Sequence, residues 1–261
     1  MRRRVGSSLL GMLMLMIGLS GCHEHPDAGG WVFHLNIRGY SGGGGPVNVA
    51  VGLNLLASID SRSPKPASIT LNEVCSNQLG YNISSGLTSR GYIVQSLYGS
   101  YIDSSCGYFG NLVATRLPYA GYEGLLYPSS NGRNVFCLRV TGYVGGQICT
   151  THLSPRDPPG ERAKRNTQLG HLNGYLASRP ILALGADLNI LHNESQIDTV
   201  YSQGLKEGTG GPPPSSRATH TSGQRLDYIF VNALFFTPHM PGRIRGPLPN
   251  TDHYLYEAFL Q

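Results

Sequence analysis

A set of acids, amides and histidines placed against short apolar runs constrains the fold of this chain more than any other feature. Trp31–Ile37, Ser68–Val74, Pro180–Gly185, Leu226–Val231 and Tyr254–Leu260 read as strands, and a β-rich run from Val135 passes through a hairpin into Thr150–Leu153. Asn36, Glu73, His152, Asp187 with Asn189, Asp227, and Asp252 with His253 each follow or end such a run. Charged residues make up only 13% of the chain, so these side chains are not part of a generally charged surface. A carboxylate within an apolar stretch is costly to bury unless it is paired or binds a cation. Brought together at strand ends, these groups make a site for a hard cation with histidines beside it. Taken singly, each has a plainer use: Glu73 as a helix cap, Asp187 and Asn189 in a turn, His152 as a hydrogen-bonded core histidine.

The remaining segments read as helices, strands and loops of one domain. From Val47 to Ser61, Ala50, Leu53, Leu56, Ala57 and Asp60 follow helical spacing, and Pro64 and Pro66 end the segment. Helical character returns over Asn77–Ser89, strands are expected at 92–98 and 110–117, and Glu161 to Leu176 is amphipathic with Leu169, Leu172 and Leu176 on one side. The Gly42–Gly45 run lacks the Lys-Ser/Thr of a phosphate-binding P-loop and reads as a plain loop, as does Gly208–Ser216. Asn232–Phe236 reads as the end of a core strand, followed by a Gly/Pro-rich connection to the last strand. No repeat or shift of composition divides the chain. Strands and helices mix without strict βαβ alternation, which favours a layered sandwich over a doubly wound sheet.

The N-terminal segment is set apart. Arg2, Arg3 and Arg4 precede an apolar run from Leu9 to Leu19, which is shorter than the roughly 20 residues of a membrane-spanning helix. Residues 1–22 read as a secretory signal. Its ending, Leu19-Ser20-Gly21-Cys22, resembles the bacterial lipobox, in which Cys22 is lipidated; ordinary cleavage nearby leaves Cys22 a spare thiol instead. Residues 23–30 form a short tether and 31–261 the domain, so the expected place is exported, as a cell-surface lipoprotein or a secreted protein. Membrane attachment is expected only through that anchor.

Export fits the cysteines. Cys75, Cys106, Cys137 and Cys149 form an even set without Cys-x-x-Cys spacing, which reads as disulfides and not a metal site. Four cysteines allow three pairings. Cys75–Cys106 with Cys137–Cys149 is favoured, because a hairpin with a glycine-containing turn sets the second pair opposite each other. Of 20 basic and 15 acidic residues, three arginines lie in the signal, leaving 17 − 15 = +2. That small excess permits a nucleic-acid substrate without demanding one.

Together the motifs resemble, in order, those of the endonuclease/exonuclease/phosphatase family. They are Leu71-Asn72-Glu73-Val74, Gly110-Asn111 leading to Arg116-Leu117-Pro118, Thr151-His152-Leu153, Gly185-Ala186-Asp187-Leu188-Asn189, Arg225-Leu226-Asp227-Tyr228-Ile229-Phe230 and Thr251-Asp252-His253. Ala186, Leu188 and Thr251 depart from the usual Gly, Phe and Ser without removing a functional group. The resemblance implies a deoxyribonuclease I-like four-layer α/β/β/α sandwich, with two mixed β-sheets packed face to face. It also implies a metal-dependent hydrolase of phosphate esters that uses Mg²⁺, with Mn²⁺ or Ca²⁺ as alternatives.

In this reading Glu73 is the principal metal ligand, Asp252 supports it and Asn36 orients the cluster. Asp187 positions or deprotonates the attacking water, and Asn189 hydrogen-bonds the phosphate. His152 and His253 stabilise its developing charge, one of them protonating the leaving oxygen, and Asp227 pairs with His253. The favoured substrate is nucleic acid, DNA or RNA, with Arg217, Arg225, Arg243 and Arg245 as loop cations able to meet its backbone. The alternatives are a phosphatase, a sphingomyelinase or an inositol phosphate hydrolase of the same fold, or an inactive surface binding protein. No obligate protein partner is evident.

Overall fold

The computed structural model describes residues 30–39, 49–128, 132–141, 146–156, 159–208, 217–234 and 238–260. The signal segment with Cys22, the tether as far as residue 29, the Gly42–Gly45 run and most of the Gly208–Ser216 loop lie outside the described residues.

Twelve strands form two six-stranded mixed sheets. The first contains β1 (Gly30–Asn36), β2 (Ser68–Cys75), β3 (Ile93–Asp103), β4 (Gly107–Thr115), β11 (Pro238–Pro247) and β12 (Tyr254–Leu260), in the order β11-β12-β1-β2-β4-β3. The second contains β5 (Tyr119–Leu126), β6 (Asn134–Val140), β7 (Gln147–His152), β8 (Ile181–Asp187), β9 (Leu205–Glu207) and β10 (Asp227–Asn232), in the order β5-β6-β7-β8-β10-β9. Among the described residues, only β1–β2 and β7–β8 pair in parallel.

Alternation along the strands builds three apolar layers. Phe33, Leu35, Ile69 and Leu71 pack with Val51, Leu55 and Ile59 of α1 (Val49–Asp60) and with Ile83 and Leu87 of α2 (Gln78–Thr88). Between the sheets lie Val32, Val113, Phe136, Leu138, Ile148, Leu182, Ile229, Tyr256 and Ala258. Outside the second sheet, Leu169, Leu172 and Leu176 of α3 (Glu161–Ala177) cover Leu184, Tyr228 and Phe230, beside the short α4 (Asp198–Tyr201). The result is the four-layer sandwich that the motif order implied. Disulfides join Cys75 to Cys106 and Cys137 to Cys149, the latter two directly opposite in the β6–β7 register.

Four details differ from the sequence reading. The buried face of α1 is Val51, Leu55, Leu56 and Ile59, whereas Leu53 is 61% exposed. The Gly/Pro-rich connection is mostly strand β11, an edge strand whose pairing with β12 slips register three times, which is where proline and glycine are tolerated in a sheet. The edge strand β5 was not foreseen, because its half-exposed Tyr-Ala-Gly-Tyr-Glu-Gly sequence carries no apolar alternation. Finally, β10 stops at Asn232 and Leu234 is exposed, so the described part of that run is outside the core, while residues 235–236 lie outside the described residues.

Candidate active site

Parallel and antiparallel pairing gathers the polar residues on one rim. Asn36, His152 and Asp187 end β1, β7 and β8; Asp227 opens β10, directly opposite Asp187 in the register, and His152 is also opposite Asp187. Asp252 and His253 precede β12, which runs antiparallel to β1, so a strand start and a strand end meet at the same edge. Asp227 and the Asp252–His253 pair thus begin their strands instead of ending them, and Glu73 lies within β2.

Glu73 reaches this rim through a local distortion. The β2–β4 register shifts between Leu71 and Val74, and Glu73 adopts φ +57, a conformation costly for a side chain other than Gly or Asn. With the extra residue, Asn72 and Glu73 both serve the site instead of facing opposite sides. The Asn72 Oδ1 accepts from the Asp187 backbone N–H at 3.1 Å, while Glu73 Oε1 accepts from Asn36 Nδ2 at 3.1 Å. Such strain concentrates where function over-determines the backbone.

Asp187 is the centre of the cluster and is buried. Its Oδ2 accepts from Asn36 Nδ2 at 2.9 Å and lies 3.3 Å from His152 Nε2 and 3.9 Å from His253 Nε2. Its Oδ1 accepts from the Asn189 backbone N–H at 3.1 Å. The Asn189 side chain donates to the Leu153 carbonyl at 3.1 Å, and Arg133 donates to the same oxygen at 2.8 Å. Gly185, two residues before Asp187, is required by the sheets themselves: a Cβ there would come within 1.9 Å of Thr70 Oγ1 and 2.6 Å of His34 Nδ1.

The second half of the site is a pair. His253 Nδ1 donates to Asp227 Oδ2 at 2.8 Å, and the Thr219 hydroxyl receives the Asp227 N–H at 2.9 Å. Burial alone would lower the basicity of His253, but the facing Asp227, then Asp187 and Glu73, raise its pKa to about 10. Burial would likewise raise Asp227, yet His253 and His34 hold it well below the usual carboxylate range. Asp187 has no such cation in hydrogen-bond contact, and burial together with the Asp227 charge pushes it up to about 7. His152 goes the other way: burial, then Arg133 and His253, keep its imidazole neutral. One rim therefore holds an ionised carboxylate, a proton-accepting carboxylate, a cationic imidazole and a neutral one.

Several contributors were not legible as site residues. His34 bonds Thr70 and places Nε2 3.6 Å from Asp227 Oδ1. His220 stacks edge-on against His253 with ring centroids 4.8 Å apart and reaches Asp252 Oδ2 at 3.4 Å; Arg38 meets the same oxygen at 3.2 Å. For His34 a signal existed, since it stands two residues from Asn36 and so shares its face of β1.

The sequence pattern of the Endonuclease/Exonuclease/phosphatase family matches residues 34–253, which span every residue just described. The chain belongs to the endonuclease/exonuclease/phosphatase family. Solved structures agree on the fold. An endonuclease/exonuclease/phosphatase from Beutenbergia cavernae DSM 12333 is similar at 18% identity and TM-score 0.65, over 89% of this chain and 71% of its own. TDP2 of D. rerio complexed with single strand DNA product is similar at 15% identity and TM-score 0.65, over 90% of this chain and 100% of its own. Sphingomyelinase C from Streptomyces griseocarneus gives 13% identity and TM-score 0.63, over 89% of this chain and 99% of its own. No curated protein sequence matches this chain. At these identities the likeness is one of fold, and membership of the family makes the chain a hydrolase of phosphate esters.

Within this family member, one expected loop cation belongs elsewhere. Arg225 is fully buried, paired with Glu207 and set over the rings of Tyr228 and Tyr256, so it is a core ion pair unable to meet a substrate backbone. Glu207 is itself buried and also accepts from the hydroxyls of Tyr256 and Tyr201, and a buried carboxylate left unpaired would be far costlier than a paired one.

Proposed function

We propose that this chain is an exported, Mg²⁺-dependent phosphodiesterase that hydrolyses nucleic acid. The observation that carries the reading is the position of Asp187, within 3.9 Å of both histidines and next to the Asp227–His253 pair. The donors suit a hard cation. Glu73 and Asp252 offer carboxylate oxygens, Asp252 Oδ1 is buried without a hydrogen-bond partner, and Asn36 fixes Glu73 from behind. Glu73 and Asp252 would hold the ion, with Asn36 orienting them, and the bound ion would neutralise charge on the phosphate.

The chain's own residues supply the rest. Asp187, raised by its burial, is able to accept a proton from water near neutral pH. His253 is the protonated histidine, its tautomer fixed by Asp227, and Nε2 is the nitrogen left to donate to a phosphate or leaving oxygen. His152, kept neutral, donates one hydrogen bond without bringing a second charge. Asn189, with one amide hydrogen on Leu153, keeps the other for a phosphate oxygen.

Nucleic acid as substrate is supported by relatives of the same fold described with DNA, the D. rerio TDP2 with single strand DNA product and the Neisseria 3' phosphatase NExo bound to product DNA hairpin. Export is supported by the two disulfides, which persist in oxidising compartments; lipidation of Cys22 is part of the same proposal. Hydrolysis of plasmid DNA, RNA, inositol phosphates and sphingomyelin, each with Mg²⁺ and with chelator, tests the reading. DNA or RNA cleavage lost in chelator is expected. Activity that survives chelation overturns the metal, and lipid hydrolysis without nucleic-acid cleavage overturns the substrate. The acid is tested separately: a diester with a highly activated leaving group should restore His253→Ala far more than His152→Ala.

A further inference from the structure

The geometry points to a second phosphate-binding subsite beside the catalytic rim, a cleft formed by Arg217, Arg243 and Arg245 that holds the backbone of the nucleic acid beyond the bond being cut. It rests on the nucleic-acid reading above and extends it.

The cleft, of about 340 Å³, is lined by Arg217, Arg243, Ile244, Arg245 and Gly246, with no acid among the described residues of its lining. Arg243 and Arg245 are held in place by contacts that leave charge over. Arg62 and Arg245 share one buried carboxylate, Glu257, and Arg245 uses only its Nε for this, at 3.0 and 3.1 Å. The Arg243 guanidinium lies over the Trp31 ring, 5.5 Å from its centroid, and thus against a neutral group that fixes it without cancelling it. Two cations on one carboxylate, plus a third on an indole, make a pre-ordered positive surface. Arginine is the residue suited to this, because its planar fork matches phosphate oxygens and is weakly hydrated.

The place of the cleft ties it to the catalytic site. Both of its walls continue into site histidines: Arg217 is three residues before His220 and Gly246 seven before His253, and His220 and His253 face each other in a β-bridge. Ile244 pairs with Tyr256 in β12, three residues beyond His253. Arg243 pairs with Glu257, four residues beyond it, so at about 3.4 Å per residue the cleft lies roughly 10–14 Å along the sheet from that histidine. Successive phosphates of one strand are farther apart through space than the about 3.4 Å of axis rise per nucleotide, so a strand cut at the rim would set a phosphate about two nucleotides away in the cleft. A small phosphodiester is too short to reach it.

The test compares the wild type with the double variant Arg217→Ala/Arg243→Ala, which leaves the Arg245–Glu257 contact intact. Steady-state kinetics are measured on a 20-nucleotide DNA and on bis(p-nitrophenyl) phosphate over a range of salt concentrations. In the double variant KM for the DNA is expected to rise several-fold at low salt. The slope of log(kcat/KM) against log[salt] should become shallower by about 1.5–2, the loss of two phosphate contacts. Both constants for the small diester should be unchanged. An unaltered slope and KM on DNA, or an equal loss on both substrates, overturns the subsite. If the wild type cleaves the small diester but neither DNA nor RNA, the nucleic-acid reading itself has failed, a result visible before any variant is made. Binding to vesicles of anionic lipid that is lost in the double variant, with DNA kinetics untouched, overturns the assignment in favour of a membrane surface.

Discussion

Asp227 is held between two imidazoles, with His253 on one carboxylate oxygen and His34 beside the other. Its pairing with His253 is what the family resemblance implies, and the two meet at 2.8 Å. That it also lies 3.6 Å from His34 was hidden, because a histidine in the middle of Trp31–Ile37 reads as one polar interruption of a core strand. His220 was hidden for a different reason: it belongs to no apolar run, and only the fold of its loop brings it against His253. The same geometry makes Asp227→Asn informative, since the amide keeps the shape but cannot hold a cationic imidazole or enforce its tautomer. The variant is expected to lose about 10²-fold or more in kcat, the usual worth of positioned acid–base groups, with KM for a small diester little changed. Steady-state kinetics on folded variant check this, and an unchanged kcat removes Asp227 from the machinery.

At the scale of elements, strands were legible where one face is apolar and illegible where both faces are wet. β12 was read to the residue and β1 and β10 within one, whereas three of the four edge strands, β5, β9 and β11, escaped. Helix α1 was found but rotated: Leu53 was assigned to the apolar face, while the packing uses Val51, Leu55 and Ile59. Spacing alone cannot choose between adjacent stripes when apolar residues crowd both. Leu55→Ala should therefore cost about 2–5 kcal/mol by leaving a cavity, and Leu53→Ala within about 0.5 kcal/mol as a surface change, both read from urea midpoints at constant slope.

The edge strand β5 is tied down electrostatically. Glu123 accepts from Gln147 of β7 and from Arg179 beyond α3. Burial raises its pKa, but Arg179 and Gln147 outweigh this and hold it below its ordinary 4.5. A carboxyl depressed by folding adds stability above its unfolded pKa and loses it as pH falls through the folded value. The stability gap between wild type and Glu123→Gln should accordingly be fully present above the ordinary 4.5 and close as pH falls below it through the folded value. A gap that persists in acid means the pair contributes nothing through charge.

For the whole molecule, the site is a seam between two sheets, and that dictates how a ligand must act on stability. Asn36, Glu73 and Asp252 belong to the first sheet or its approach, while His152, Asp187 and Asp227 belong to the second. Motif order in the sequence could establish that these residues converge, because six short patterns in one order leave little freedom of fold. It could not give the tilt that brings Asn36 Nδ2 onto carboxylates from both sheets at once. Burial and the neighbouring Asp227 charge raise Asp187, with Glu73 adding to it from the other sheet, and a cation held by Glu73 and Asp252 would offset that gathered negative charge only in the folded state. Binding to the native form alone stabilises it by about 2.7 kcal/mol when the ligand stands 100-fold above its dissociation constant. For a domain of this size that is roughly 5–10 °C in Tm. Saturating Mg²⁺ is thus expected to raise the Tm of the wild type by that amount and chelator to reverse it, with Glu73→Gln showing little response to either. Equal shifts in both proteins would place the ion elsewhere, since without the Glu73 carboxylate the seam has lost its principal oxygen donor.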